Sequence, residues 1–336
     1  MTEVQAAFES FEPSAPPQEA LEKAYKKALA ESLAVEREAT QRPRDSGREQ
    51  VSQPRQETRD ELPLQKNVRP VGTKRQAEEA CENGVGKVPR VGQAVHVSGQ
   101  KTVSIVTGCN GKLGAMVCEH LRNIGHEVIG IDRWGSGLNA NCTDEKEVDV
   151  VMGRALAAAS GSQECYLINA LGFTDSVDEM RHCTSFEDVP ASAFQGHLDL
   201  NLRAVFLLMQ AFVRHFKEHA KCILNFSSMY ANLCPRPSMY KNAIKNPGYP
   251  ASKRGVEALT EYAAVLLGPT TRVVCLAPGG VQETIGDQEF MAGYIERVPL
   301  KRMTTFEDIR GAITYLLGAS YVTGTTLTLD GGMHLT

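Results

Sequence analysis

The 336-residue sequence has no closely spaced pair of cysteines. Its nine cysteines are scattered, and none forms the C-x-x-C spacing that is typical of zinc sites and redox motifs. We therefore expect reduced thiols in a reducing compartment, with no disulfide framework and no bound metal.

The sequence also lacks an apolar run long enough to cross a bilayer. Its first residues include Glu3, Glu9 and Glu12, where a signal peptide would have a basic start and an apolar core. The formal net charge of −4 gives no general attraction to nucleic acid. We expect a cytoplasmic protein that binds neither membranes nor nucleic acid.

Residues 1–98 differ in composition from the rest of the chain. They hold half of its sixteen prolines, few aromatic residues and many Glu, Gln, Arg and Lys. Such a segment buries too little apolar surface to offset its loss of conformational entropy, so we expect it to be mostly disordered. Within about 18–38, Leu21, Tyr25 and Leu29 recur at helical spacing. This stretch is expected to be an amphipathic helix that binds a protein partner, or a transient helix in solvent.

The ordered domain is expected to cover residues 99–336 and to begin with a β-branched strand from Thr102 to Val106. The strand runs into the sequence T-G-C-N-G-K-L-G, and a helix follows from Lys112 to about Asn123. Glycines in such a turn let the backbone approach a pyrophosphate, which binds exposed amides at the helix N-terminus. The turn residues predicted to contact a dinucleotide are Gly108, Asn110, Gly111, Lys112, Leu113 and Gly114.

The second predicted strand, Glu127 to Ile131, ends at Asp132, eighteen residues beyond Gly114. A carboxylate there accepts hydrogen bonds from the adenosine ribose and repels a 2′-phosphate, which favours NAD. Arg133 could instead pair with that phosphate, so NADP stays open as the cofactor. Without a cofactor, Asp132 would only cap the following turn.

Tyr249 and Lys253 lie one helical turn apart in the sequence Y-P-A-S-K. A neighbouring ammonium favours the phenolate and lowers the pKa of a tyrosine, so this pair is suited to proton transfer. The apolar run from Cys222 to Phe226 predicts a buried strand that brings Ser228 to its carboxyl end, where ligands bind. Taken alone, the pair is also compatible with an ordinary helix that has a buried Tyr and a solvated Lys.

These motifs resemble the short-chain dehydrogenase/reductase family over about residues 100–336. The resemblance implies an α/β fold with a Rossmann-type, doubly wound parallel sheet in a single domain. It also implies a catalytic tetrad, in which Tyr249 is the acid or base, Lys253 holds the cofactor ribose, Ser228 binds the substrate oxygen and Asn201 supports a water relay. A polar residue satisfied by a neighbouring backbone group is the alternative interpretation of Asn201.

The resemblance implies further contacts with the cofactor. The sequence N-A-L-G at 169–172 stands where the family usually has N-N-A-G, and a P-G turn follows a later strand. The residues assigned to the cofactor in this way are Asn169, Ala170, Gly172, Tyr249, Lys253, Pro278, Gly279 and Val281. Related proteins form homodimers or homotetramers.

Several functions remain open. The complete tetrad favours an NAD(P)-dependent oxidoreductase that interconverts a ketone and a secondary alcohol, and a 3-oxoacyl-(acyl-carrier-protein) reductase is one alternative. The glycine spacing T-G-x-x-G-x-x-G is typical of the extended branch, which includes nucleotide-sugar epimerases and dehydratases. Only four residues follow Gly332, so we expect no room for that branch's C-terminal substrate domain. A non-catalytic dinucleotide-binding interaction protein is the last alternative.

A segment of twenty residues, Met229 to Gly248, separates Ser228 from Tyr249 and is longer than in compact members of the family. Its polar side chains predict a small polar, sugar-derived substrate, because buried polar groups select ligands that satisfy them. A solvated surface loop is the alternative. The side chains in question are Arg236, Ser238, Tyr240, Lys241, Asn242, Lys245 and Asn246.

Overall fold

The computed structural model describes residues 101–162, 164–175, 185–240 and 243–336. The predicted disordered extension over 1–98, its helix at 18–38 and the domain boundary at residue 99 lie outside the described residues. Lys241 and Asn242 lie outside them as well.

A parallel sheet forms the centre of the described chain. Its strands are β1 (Thr102–Thr107), β2 (Glu127–Asp132), β3 (Leu138–Asn139), β4 (Glu164–Asn169), β5 (Ala220–Phe226), β6 (Arg272–Pro278) and β7 (Thr326–Leu329). They lie in the order β3-β2-β1-β4-β5-β6-β7, and every neighbouring pair is parallel. The nearly continuous burial of β1, β5 and β6 is typical of parallel strands that are covered on both faces.

Helices cover both faces of this sheet. They are α1 (Lys112–Asn123), α2 (Glu145–Ala158), α3 (Ala191–Leu198), α4 (Ala204–Phe216), α5 (Gly248–Leu267), α6 (Gln288–Arg297) and α7 (Phe306–Gly318). The apolar sides of α2, α4 and α5 pack on one face, and those of α1 and α7 pack on the other. The predicted doubly wound Rossmann-type fold is therefore confirmed.

The local sequence explains where several helices begin. The Asp144 side chain accepts hydrogen bonds from free backbone N–H groups in the first turn of α2. At the start of α7 the Thr305 side chain accepts the Asp308 backbone N–H, and the Asp308 side chain accepts the Thr305 backbone N–H. Helix α1 has the predicted bounds. Among the described ranges, no helix combines the length and the apolar character needed to span a membrane.

The chain around Asn201 departs from regular α-helical geometry. A π-helical segment, Asp199–Arg203, joins α3 to α4. A π turn has one more residue in each hydrogen-bonded ring than an α turn, and such segments are frequent at functional sites. Asn201 lies in this wider turn and is fully buried.

The sheet order determines where a ligand can bind. Strand β1 pairs with β2 on one side and β4 on the other, so the chain path reverses direction across the sheet between β1 and β4. Ligands of open α/β sheets bind beyond the carboxyl ends of the strands at such a point.

Candidate active site

The glycine-rich turn after β1 is packed directly against the start of α1. The N–H of Gly108 donates to the Ile131 carbonyl at 2.8 Å. A Cβ atom on Gly114 would lie only 1.9 Å from the Gly108 carbonyl oxygen, so only glycine permits this approach. The residues from Gly111 to Gly114 line a cavity, where the first amides of α1 are available to an anion.

Asn110 fastens this turn to the loop that follows β2. Its Nδ2 donates to the carbonyls of Trp134 and Ser136 at 2.6 and 3.1 Å, and Ser136 Oγ donates to its Oδ1 at 2.8 Å. The Asn110 side chain thus shapes the turn, while Lys112 extends over the opening, with its Nζ 3.5 Å from the Thr284 carbonyl.

Asp132 stands at the end of β2, beside the glycine-rich turn. Its two carboxylate oxygens accept the backbone N–H groups of Asn110 at 2.9 Å and Arg133 at 2.7 Å. It therefore does cap the turn, and the same partly exposed carboxylate is available for a ribose. The guanidinium of Arg133 lies 4.7 Å from the centre of the Trp134 ring, in the geometry of a cation–π contact.

Asn169 at the end of β4 is buried in a chain of polar side chains. Thr107 Oγ1 donates to its Oδ1 at 3.2 Å, and its Nδ2 donates to Asn225 Oδ1 at 2.9 Å. Asn225 in turn donates to Thr260 Oγ1 at 3.0 Å. The Asn169 side chain thus links three strands, and the next residues of the loop, including Ala170 and Gly172, line the cavity.

The backbone at Gly172 touches two members of the predicted tetrad. A Cβ atom there would lie 3.1 Å from Asn201 Oδ1 and 3.3 Å from Lys253 Nζ. The amide of Asn201 pairs with the backbone of Phe173, accepting its N–H at 2.9 Å and donating to its carbonyl at 3.0 Å. Asn201 is therefore satisfied by a neighbouring backbone group, and it fixes the loop beside Lys253.

Ser228, Tyr249 and Lys253 meet beyond the end of β5. Ser228 follows the strand and hydrogen-bonds to Tyr249, which lies in the first turn of α5. Lys253 Nζ donates to the Phe226 carbonyl at 2.9 Å and lies 6.0 Å from the centre of the Tyr249 ring. All three side chains line the same cavity.

The electrostatics of the pair differ from the sequence-based prediction. Burial raises the pKa of Tyr249, and its hydrogen bond with Ser228 opposes this only in part. The predicted lowering by Lys253 is wrong for the protein alone, because the ammonium points to the Phe226 carbonyl and is itself desolvated. Burial lowers the pKa of Lys253 to about 8. At neutral pH Tyr249 therefore carries its proton.

The end of β6 closes the cavity on its far side. Pro278, Gly279 and Val281 line it, and the N–H of Gly279 donates to the Leu329 carbonyl at 2.9 Å. The whole cavity has a volume of about 580 Å³ and runs from the glycine-rich turn to Tyr249. Twelve of the predicted cofactor and catalytic residues line this cavity. The predicted residues that do not line it are Gly108, Asn110, Asp132, Arg133, Asn169 and Asn201.

The long segment before Tyr249 contributes fewer polar groups to the cavity than predicted. Tyr240 and Lys245 line it. The prediction is wrong for three other side chains, because each has a different partner. Arg236 donates to the Thr336 carbonyl, Ser238 lies near Arg297, and Asn246 accepts a hydrogen bond from the Gly248 N–H.

No sequence motif predicted several other residues that line the cavity. Thr174 and Asp175 come from the loop after β4, and Ile285 and Phe290 come from the segment around α6. They belong to no motif, and only the folded path of these loops brings them to Tyr249.

Comparisons with known proteins agree with this geometry. A family model described as enoyl-(acyl carrier protein) reductase matches residues 103–334. The 2-dehydro-3-deoxy-D-gluconate 5-dehydrogenase of Escherichia coli is 26% identical over 256 residues, which cover 68% of this chain and 94% of that protein. The 3alpha-hydroxysteroid dehydrogenase of Mediterraneibacter gnavus is 36% identical over 172 residues, or 49% of this chain and 63% of that protein.

A solved structure has the same fold. The crystal structure of a short chain dehydrogenase from Leptospira borgpetersenii with bound NAD+ superposes with a TM-score of 0.62 at 27% sequence identity. The match covers 70% of this chain and 93% of that one.

Proposed function

Because the chain belongs to the short-chain dehydrogenase/reductase family, we propose that it interconverts a ketone and a secondary alcohol on a small polar, sugar-derived substrate. It is an NAD(P)-dependent oxidoreductase of this family, and its substrate is a small molecule. The observation that supports the proposed reaction is the meeting of Ser228, Tyr249 and Lys253 in the cavity that starts at the glycine-rich turn.

The residues present fit a nicotinamide dinucleotide. The close approach of Gly114 to Gly108 leaves room for a pyrophosphate at the N-terminus of α1, and Asp132 stands where the adenosine ribose would lie. Lys253 would hold the second ribose, beside Pro278 and Gly279. When bound, the nicotinamide supplies or accepts the hydride.

The side chains of Tyr249, Ser228 and Lys253 would carry out the proton transfer. In the direction of reduction, the Tyr249 hydroxyl donates its proton to the carbonyl oxygen of the substrate. Ser228 donates a hydrogen bond to the same oxygen as negative charge develops on it. The raised pKa of Tyr249 keeps this proton in place at neutral pH. Lys253, whose Nζ lies 6.0 Å from the ring centre, is a cation that would stabilise the phenolate after transfer.

Replacing the proposed acid tests this mechanism. The Tyr249→Phe variant should lose about 10²–10⁴-fold in kcat, because it lacks the hydroxyl that carries the transferable proton but keeps the ring. Its affinity for NADH should stay close to that of the wild type. Tyr315→Phe is the matched control, since Tyr315 is exposed on α7 and its substitution should leave both values unchanged. Activity of Tyr249→Phe within a few-fold of the wild type would contradict the assignment.

The sugar-derived substrate is supported by the polar side chains of Thr174, Tyr240 and Lys245 in the cavity lining and by the gluconate-derived substrate named for the Escherichia coli relative. The matched family model and the steroid-dehydrogenase relative favour a second candidate, an apolar ketone or acyl thioester. Measuring kcat/KM for a keto sugar, an acetoacetyl thioester and a steroid ketone separates the two. A clear preference for the thioester or the steroid would overturn the sugar proposal.

We also propose that the protein forms a homodimer or homotetramer. Tyr262, Val265 and Leu266 expose most of their surface along α5, and Phe206 on α4 is 44% exposed. Light scattering of the purified chain measures the assembly, and a monomer at micromolar concentration would contradict it. Residues 1–98 are proposed to bind a protein partner and to be dispensable for turnover.

A further inference from the structure

Lys245 is a buried cation that the proposed proton transfer does not use. It lies between a short 3₁₀ turn at Pro237–Tyr240 and the start of α5, and only 9% of its surface is exposed. Its side chain lines the same cavity as Ser228 and Tyr249.

Three tyrosine rings surround the Lys245 ammonium. Its Nζ lies 4.7 Å from the ring centre of Tyr249, 5.5 Å from that of Tyr240 and 5.8 Å from that of Tyr230. These are cation–π distances, and the hydroxyls of Tyr230 and Tyr240 hydrogen-bond to each other beside it. The rings fix the position of the ammonium but provide no negative charge.

Among the residues that the structure describes, Lys245 Nζ has one hydrogen-bond acceptor, Thr174 Oγ1 at 2.5 Å, and no carboxylate within 4 Å. Asp175 is the acidic residue whose charge acts on Lys245, and its carboxylate lies 3.1 Å from Nε2 of the buried His197. An ammonium has three donors, so two of the three N–H groups of Lys245 have no acceptor within the described chain.

A buried ammonium without a carboxylate partner is costly. Burial lowers the pKa of Lys245 to about 8, and the charge of Asp175 opposes this shift. The group therefore remains mostly charged at neutral pH. An unpaired cation in a desolvated pocket is suited to bind an anion, because charge-assisted hydrogen bonds are stronger where water is excluded.

We propose that Lys245 binds a carboxylate of the substrate, so that the enzyme acts on a keto or hydroxy acid derived from a sugar and discriminates against the neutral sugar. This inference rests on the proposed function and makes its substrate class narrower. The position of Nζ against the Tyr249 ring allows one small molecule to present its carboxylate to Lys245 and its carbonyl to the Tyr249 hydroxyl.

A matched pair of substrates tests the proposal. 5-Keto-D-gluconate and L-sorbose share a carbon skeleton. They differ at one terminal carbon, which is a carboxylate in 5-keto-D-gluconate and a hydroxymethyl group in L-sorbose. Each is assayed with NADH and NADPH on the full-length wild type, Lys245→Met and Lys245→Arg. Methionine keeps an unbranched side chain without the charge, and arginine keeps the charge. Lys221→Met is the control, because Lys221 lies at the opposite end of β5 and its Nζ donates to the Glu218 carbonyl.

The expected result is a loss that is confined to the acid. Lys245→Met should lower kcat/KM for 5-keto-D-gluconate by about 10–100-fold, mainly through KM, which is the range for losing a hydrogen bond to a charged group. Activity on L-sorbose should change little, and Lys245→Arg should retain part of the preference for the acid. Equal losses on both substrates would show that Lys245 only supports the fold, and a wild type that prefers L-sorbose would also overturn the proposal.

A binding measurement keeps this inference separate from the proposed function. Gluconate cannot be oxidised when NADH is the bound cofactor, so its dissociation constant can be measured without turnover. We expect Lys245→Met to weaken gluconate binding at least about tenfold relative to the wild type and to Lys221→Met. Lack of turnover with every sugar tested would refute the proposed function, whereas equal gluconate affinity in the wild type and Lys245→Met, or no binding to either, would refute the role of Lys245.

Discussion

Placing a methyl group on Gly114 should separate the roles of the glycine-rich turn in folding and in cofactor binding. In Gly114→Ala, the new Cβ would lie 1.9 Å from the Gly108 carbonyl oxygen and 2.7 Å from its carbonyl carbon. Side-chain Cβ atoms do not approach other heavy atoms within 3.0 Å, so the turn and α1 must move apart by about 1 Å or more. Both groups belong to the backbone, so no side-chain rotation relieves the contact.

Two effects of opposite sign set the magnitude of the stability change. Alanine is favoured over glycine inside a helix by about 1 kcal/mol, and Gly114 lies within α1. Overpacking a tightly packed site costs about 1–3 kcal/mol, and a contact this short belongs at the upper end of that range. We expect a net loss of about 1–2 kcal/mol in the free energy of unfolding, which lowers Tm by about 2–8 °C in a domain of this size.

Cofactor affinity should fall as well as stability, because the displaced turn is the surface that would receive the pyrophosphate. We expect NADH binding, followed by fluorescence titration, to weaken by more than about tenfold. Gly311→Ala is the control, since Gly311 is exposed within α7 and a Cβ there meets nothing within 4 Å. That variant should raise Tm slightly and leave NADH binding unchanged. A Gly114→Ala protein with wild-type Tm and NADH affinity would refute the reasoning.

Three further predictions concern cofactor binding and stability. Lys253→Ala should weaken NADH binding and lower kcat together, and unchanged values in both measurements would exclude its double role. Asp132 should give NADH a higher kcat/KM than NADPH, whereas a tenfold preference for NADPH would mean that Arg133 dominates. Asp308→Asn should lower stability in urea unfolding at pH 7, because the Arg302 guanidinium and the Thr305 backbone hold the pKa of Asp308 below its usual value. This carboxylate stabilises the fold above the unfolded-state pKa of about 4, so the difference from wild type should shrink as pH falls below it; a difference that stays constant between pH 7 and pH 3 would contradict the assignment.

The sheet and the positions of the strand-end motifs could be predicted from sequence because each depends on local signals. A buried β-branched run followed by glycines predicts a strand and a turn, and parallel strands place such turns at one edge. Gly114, Asp132 and Ser228 therefore fell where the order of the motifs indicated. No local pattern predicted the π segment around Asn201. The partner of the Asn201 amide, the backbone of Phe173, lies 28 residues earlier in the chain and could not be inferred from neighbouring residues.

The polar segment before Tyr249 shows a second limit of sequence reasoning. The composition of a segment shows how many side chains can form hydrogen bonds, but it does not show which partners they bond to in the folded protein. Arg236 donates to the Thr336 carbonyl, and Asn246 caps a turn. The ammonium of Lys245 instead lies among tyrosine rings, including those of Tyr230 and Tyr240. Only the folded path distinguishes a solvated lysine from a desolvated one.

The pKa of Tyr249 shows why spacing alone does not determine electrostatics. The interval between Tyr249 and Lys253 predicts neighbouring side chains on one helix face, and the structure has them so. The same burial that excludes water from the pair desolvates the phenolate and the ammonium together, and both shifts favour the uncharged forms. In the protein without ligands, Tyr249 is thus a protonated acid suited to carbonyl reduction. Alcohol oxidation needs the phenolate of Tyr249, whose fraction increases with pH. In a pH profile, kcat for oxidation should therefore rise with pH more steeply than kcat for reduction changes.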